Sequence, residues 1–462
     1  MNLRARMARV PVARMLMVCL TLALAAALLV VFSGILDRYS GVGAVSRELL
    51  SQAALLYWAM GCLAIGLVSS WRTHRLQLLA TLLSVVISLA FIEVAARVLQ
   101  LPAGFLHFSG IPSRTQHHIY APDRKMYAGV YEDSPVFVVT NEDGLRTPYS
   151  RDAFRKYGTR IAMLGDSFTF GYGVQQEASL PSRLEALLRE KLANTDLAVL
   201  NAGIVGYAPL LERLLFENIV IHYDPTLVLL ILDPTDIGDD YKYGREAVLE
   251  AGRTVFPREG PECGEQGRAP YYGAVLEIVA GLLKPLEAPL IYPIKAIGSR
   301  LGISLRPGCD YDYYDFKVVI RDVTETTRFF HYRHPLADTR PYFDSTLEHI
   351  ERTAALARTI GADFLLVVSP RYHHWNPKES PNNWEHTEYA TDEPYQFEYF
   401  RYFEQARARV DFPIFDLLPA FQATEEFPLV FRDDPHWNSR GNVFAAGTIA
   451  DYLTREEMLG KD

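Results

Sequence analysis

Cysteine is scarce: four residues in 462, at positions 19, 62, 263 and 309. None lies at zinc-ligand spacing, and so few exclude a small disulfide-stapled scaffold. No internal repeat or low-complexity tract stands out. Lysine is missing altogether from residues 1–100, where nine Arg face only Asp37, Glu48 and Glu93, a local charge of +6. The whole chain is −9, which leaves −15 on residues 101–462. That acidity argues against a nucleic-acid partner or an anionic lipid surface bound by charge.

Against these absences stand three uncharged runs, at 15–35, 53–70 and 76–92, the last ending at Glu93, which read as helices at about 15–35, 53–70 and 76–97. The first is long enough to cross ~30 Å of hydrocarbon as a helix. It exceeds the usual ~7–15 apolar residues of a signal peptide and lacks a small-x-small exit, so it reads as retained. Arg4, Arg6, Arg9 and Arg14 precede the first run, and Arg72 and Arg75 lie between the second and third. This bias puts the N-terminus on the cytoplasmic side of an inner membrane and residues beyond about 100 on the extracytoplasmic, periplasmic side. Glu93 and Arg97, four apart, suit an ion pair anchored at the interface. Cys263 and Cys309 would then sit where a disulfide is permitted.

Residues 101–158 read as a lead-in linker. Beyond them strands and helices alternate. A strand over 160–164 enters Gly165, and helical spacing follows over 180–192 with Pro181 in the first turn. Strands are expected at 197–200, 226–232, 364–368 and 412–415, and helices at 210–219 and 443–453. Ser345 and Glu348 form a capping box opening a further helix that ends at Gly361. The run at 226–232 is almost unbroken aliphatic residues, as a strand covered on both faces requires. The pattern predicts an α/β layered domain with a parallel sheet over 159–240 and 341–462. Residues 241–340, rich in Tyr and Pro, read as an insertion.

The residues able to do chemistry cluster at strand ends. Gly165-Asp166-Ser167 follows the first strand, Asn201 to Gly206 the second, and Asp233-Pro234-Thr235-Asp236 the third. Asp433-Asp434-Pro435-His436 lies near the C-terminus. A serine hydroxyl needs an adjacent, oriented base; His436 can be that base and Asp433 can bond its other nitrogen. Backbone N–H groups in the glycine turns can hold an oxyanion. His117-His118 and His373-His374 are weak metal candidates, because adjacent side chains diverge in a strand or loop and no carboxylate or Cys partner accompanies them. His222 reads as a packing or surface residue.

Taken in this order, Gly165 to Gly171 (GDSFTFG), Gly206 and Asp433-x-x-His436 resemble the SGNH (GDSL) hydrolase family over about 155–238 and 341–455. The resemblance implies a three-layer sandwich around a central parallel sheet, here preceded by three transmembrane helices and carrying a large insertion. It implies Ser167 as nucleophile, His436 as general base, Asp433 as orienting acid, and the N–H groups of Ser167 and Gly206 as oxyanion donors, with no metal or other cofactor. Asp166 belongs to the motif as a turn residue. The family's third donor is an Asn, and here Thr235 stands in its place. By resemblance and location, the expected function is a membrane-anchored esterase or O-acyltransferase acting on acyl esters, acetyl above all, of a cell-surface polysaccharide. A transferase would need a multi-pass membrane partner to deliver the acyl group. The alternative is an inactive binding or assembly module of a membrane complex, with Thr235 marking lost catalysis.

Overall fold

In a computed structural model, the described residues are 110–132, 134–256, 316–380, 383, 385–389 and 394–459. The three uncharged runs, all four cysteines and most of the predicted insertion lie outside them. Among the described residues no helix is long and apolar enough to cross a membrane. The chain divides into two compact units: 1–107 with 127–136 and 270–303, and 108–126 with 137–269 and 304–462. The second unit contains everything discussed below.

Its centre is a five-stranded sheet built from β1 (Thr159–Gly165), β2 (Leu197–Gly203), β3 (Leu227–Leu232), β4 (Asp363–Val368) and β5 (Ile414–Asp416). The order is β2-β1-β3-β4-β5 and every pairing is parallel. All six residues of β3 are buried, because a central parallel strand is covered on both faces. Side chains alternate between those faces. Ile161, Met163, Leu229, Ile231, Leu365 and Val367 join one core with Leu180, Leu184 and Leu188 of α2 (Leu180–Leu192) and Ile449 and Leu453 of α8 (Ser439–Arg455). The other face carries α3 (Pro209–Asn218) and α5 (Leu336–Thr359), with α4 (Asp236–Glu246) packed against both. Right-handed crossovers explain the division: the chain steps from β1 to β2 one way, then back over β1 to β3 and on to β4, so α2 falls on one face and α3 to α5 on the other.

Three expectations change. The helix predicted to open at Ser345 begins at Leu336 and runs through Pro341, because Leu336, Thr339, Phe343 and Thr346 all lie in the core and their burial outweighs the local stop and cap signals. The predicted insertion keeps regular structure at its edges: α4 runs to Glu246, and hairpins form at Val248–Glu250 with Arg253–Val255 and at Val318–Ile320 with Val323–Glu325. The predicted linker is packed, with Tyr120, Val138, Leu145 and Arg146 all buried.

Leu229→Ala, in the middle of β3, is expected to cost about 2–5 kcal/mol, read as a lower midpoint in chemical denaturation.

Candidate active site

Parallel strands deliver their following loops to one edge, and ligand crevices in such sheets open where the strand order reverses. That point is between β1 and β3, and Ser167 and the 233–236 turn follow those two strands. Gly165 leaves β1 with φ +152°, and a Cβ there would come 2.1 Å from Thr169 Oγ1. The chain then turns into a single helical turn, Ser167–Phe170, whose first N–H groups the helix itself cannot satisfy. Asp166 caps it by accepting from Phe168 N at 2.8 Å. Gly203 lets that turn lie against β2, since a Cβ would sit 2.3 Å from Phe170 N.

Ser167 Oγ lies 2.7 Å from His436 Nε2. On the far side of the ring, His436 Nδ1 is 2.5 Å from Asp434 Oδ1, which also accepts from His436 N at 3.0 Å. The expected orienting residue, Asp433, is exposed and does not bond the imidazole. The turn explains the correction: an Asp two residues before the His closes an Asx turn on the His N–H, and the same oxygen then reaches the ring. The His436 segment is held from both sides. Phe431 N donates to His436 O, and Asn438 caps α8 by accepting from Arg440 N and Gly441 N. Trp437 is buried between Phe168 and Phe421.

Burial alone would lower the His436 pKa, but the charge of Asp434 and its hydrogen bond outweigh this and raise it. Burial pushes Asp434 the other way, and His436 holds it below the usual carboxylate range. Where the serine proton rests on Nε2 in the transition state, this pair stabilises the imidazolium.

The N–H groups of Ser167 and Gly206 belong to loops leaving adjacent strand ends, with Gly165 paired to Gly203 across β1 and β2. Thr235 does not serve as the expected third donor. Its single hydroxyl proton goes to Asp233 Oδ1 at 2.5 Å, and its backbone N–H goes to the same oxygen at 2.9 Å. Asp233 in turn is clamped by Arg371, whose Nε and Nη2 reach it at 2.8–3.1 Å. Arg371 also pairs with Glu385 and lies over the Phe168 ring, 5.2 Å from its centroid. Burial opposes a charged Asp233, yet Arg371 keeps its pKa below the ordinary value.

Asp166, Asp233 and Asp236 bring carboxylate oxygens within 4.8 Å of one another, the convergence a cation would need. Arg371 already occupies both oxygens of Asp233. Burial, then the neighbouring Asp233, pushes Asp166 up to about 7. Burial and the surrounding carboxylates drive Asp236 well above its usual range. Arg371 therefore meets part of this cluster's charge, and burial disfavours the charged form of the other two carboxylates.

His117 and His118 do not diverge as expected. His117 has φ +61°, which turns the two rings together with Nδ1 atoms 3.1 Å apart. The His373 and His374 rings lie 4.1 Å apart between centroids, tilted by 40°, because they occupy a 3-10 turn rather than a strand. His222 sits in the 3-10 turn after α3. Sequence reasoning missed Asp434, although Asp-x-His stood beside Asp-x-x-His. It also missed Arg371, whose signal was its place just past the strand at 364–368. Nothing local marked Glu385.

No protein-family model and no curated protein matches the chain. Solved structures do. A GDSL-like lipase from Bacteroides thetaiotaomicron is 11% identical, covering 67% of this chain and 92% of its own, at a TM-score of 0.29. An acetylxylan esterase from Geobacillus stearothermophilus is 12% identical over 66% and 96%, at 0.31. A psychrotrophic esterase from Pseudoalteromonas is 12% identical over 64% and 98%, also at 0.31.

Three predictions come from this geometry. Asp434→Asn should lower kcat by about 10³–10⁴-fold, as loss of the orienting carboxylate does in a serine triad, while Asp433→Asn stays near wild type in the same ester-hydrolysis assay. A His436 pKa raised above about 6.5 places the acidic limb of kcat/KM above that pH. Activity then rises with pH as the base deprotonates, and Asp434→Asn moves the limb down. The linked stability has the opposite sign: the charged pair stabilises the fold fully below the unfolded His value and is lost as pH rises through the folded one. Arg371→Met should cost about 3–5 kcal/mol, because it leaves Asp233 buried without its charge partner and Glu385 paired with Arg328 alone, measured by denaturation.

Proposed function

We propose that the chain is a membrane-anchored, extracytoplasmic serine esterase of the SGNH type, acting on acyl esters, acetyl above all, of a cell-surface polysaccharide or related glycan. The observation that carries this reading is the continuous contact from Ser167 Oγ through His436 to Asp434, at 2.7 and 2.5 Å. The three uncharged runs and the Arg distribution support the anchor and its orientation.

In the reaction, Ser167 Oγ attacks the ester carbonyl carbon while His436 Nε2 takes its proton. The carbonyl oxygen becomes an oxyanion, held by the N–H groups of Ser167 and Gly206. The tetrahedral intermediate collapses, the C–O bond to the alcohol breaks, and His436 returns the proton to the leaving oxygen. Water then attacks acyl-Ser167 with His436 again as base, releasing the acid and the free serine. A sugar hydroxyl in place of water gives O-acyl transfer, which requires a membrane partner to supply the acyl donor. With Thr235 bonded inside its own loop, two backbone donors carry the oxyanion.

The test is labelling of the detergent-solubilised full chain with a fluorophosphonate, beside Ser167→Ala and His436→Ala. Labelling of wild type that disappears in both variants is expected. A folded wild type that takes no label would instead support a binding or assembly module.

A further inference from the structure

An oxyanion donor works only if its N–H points at the reacting oxygen, and glycine makes that direction hard to hold. Gly206 has φ +77°, in the left-handed region that glycine enters freely and leaves freely. Rotation about the bonds flanking the Val205–Gly206 peptide would turn the N–H away at little steric cost. The peptide itself is planar and trans, so its carbonyl and its N–H point in opposite directions. Whatever holds Val205 O therefore aims Gly206 N–H.

That holder comes from the predicted linker. His118 Nε2 lies 2.9 Å from Val205 O. A carbonyl only accepts, so Nε2 carries the proton. We propose that His118 is a positioning residue for the oxyanion hole, orienting the Gly206 N–H by donating to the carbonyl of the same peptide. The inference rests on the serine-esterase reading of Ser167.

The surroundings are built for this. Val205 N donates to Tyr120 Oη at 3.2 Å, and Tyr243 Oη donates to Gly206 O at 2.6 Å, so the peptide groups on both sides are bonded as well. His118 is buried, with Tyr207 edge-on to its ring at 4.9 Å, and Tyr207 Oη donates back to His118 O at 2.5 Å. Burial lowers the His118 pKa to about 3, against the opposing bond to Val205. The ring is thus neutral, with its proton on Nε2 and its Nδ1 3.1 Å from His117 Nδ1. His117 Nε2 meets Glu246 at 3.0 Å, which steadies the pair from outside.

The test uses the full chain in detergent with p-nitrophenyl acetate, comparing wild type, Ser167→Ala, His118→Phe and His118→Gln. His118→Phe keeps the ring volume and removes the donor, while His118→Gln keeps an N–H within reach of Val205 O. Loss of one oxyanion donor costs about 10²–10³-fold, so kcat should fall by up to that factor in His118→Phe, with KM unchanged and much of the rate restored in His118→Gln. A folded His118→Phe with wild-type kcat overturns the positioning role and leaves the esterase reading standing. A wild type no faster than Ser167→Ala overturns both. Should His118→Phe fail to fold, selective 15N-histidine spectra of wild type decide: a proton on Nε2 is expected, and one on Nδ1 alone overturns the proposal.

Discussion

A guanidinium buried in a protein cannot shed its proton, so the chain that buries one must surround it with carboxylates. Arg371 imposes this constraint on the carboxyl edge of the sheet. It leaves the end of β4 and lies between the rings of Phe168 and Phe329, with Asp233 on one flank and Glu385 on the other. Glu385 also pairs with Arg328, which reaches Asp239 on α4. The chain of pairs ties the loops after β3 and β4 to α4 and to the segment holding residue 385. With Asp233 committed to Arg371, the turn after β3 closes on it, and the Thr235 hydroxyl becomes part of that turn. The remaining carboxylates, Asp166 and Asp236, sit in the same dry region, and burial with the neighbouring carboxylates shifts them toward the neutral form.

The reactive histidine is poised between these charges. Asp434 raises its basicity, while Arg371 and burial oppose that increase. The serine is held from a different direction. Arg146, from the predicted linker, is buried against the Phe170 ring and donates to the carbonyls of Phe170, Gly171 and Val174. Phe170 and its C-cap Gly171 end the one-turn helix carrying Ser167, and Val174 follows three residues on. The lead-in segment therefore supports both the nucleophile, through Arg146, and the Val205–Gly206 peptide, through His118 and Tyr120.

The order of strands and helices was legible because burial on both faces writes itself as unbroken aliphatic runs, and amphipathic helices write a 3.6-residue period. Leu227–Leu232 and Leu180–Leu192 are the clearest cases. The start of α5 was not legible, since Phe343 and its neighbours earn their place from helices and loops distant in sequence. The choice between Asp433 and Asp434 was equally hidden: both spacings suit a histidine partner, and only the turn geometry distinguishes them.

The sequence by itself determined an α/β alternation, glycine-punctuated strand ends, and a serine and a histidine placed so that a parallel sheet could bring them to one edge. It also determined the uncharged runs and the acidic remainder. Tertiary structure alone decided that Asp434 faces the imidazole, that Arg371 consumes Asp233, and that His118 meets Val205. The physical reason is range. Periodicity and turn chemistry act over a few residues and are written locally. Contacts such as that of Arg371 with Asp233, or of His118 with Val205, join residues more than 80 positions apart. They exist only once folding has brought them into a region too dry to leave either partner unbonded.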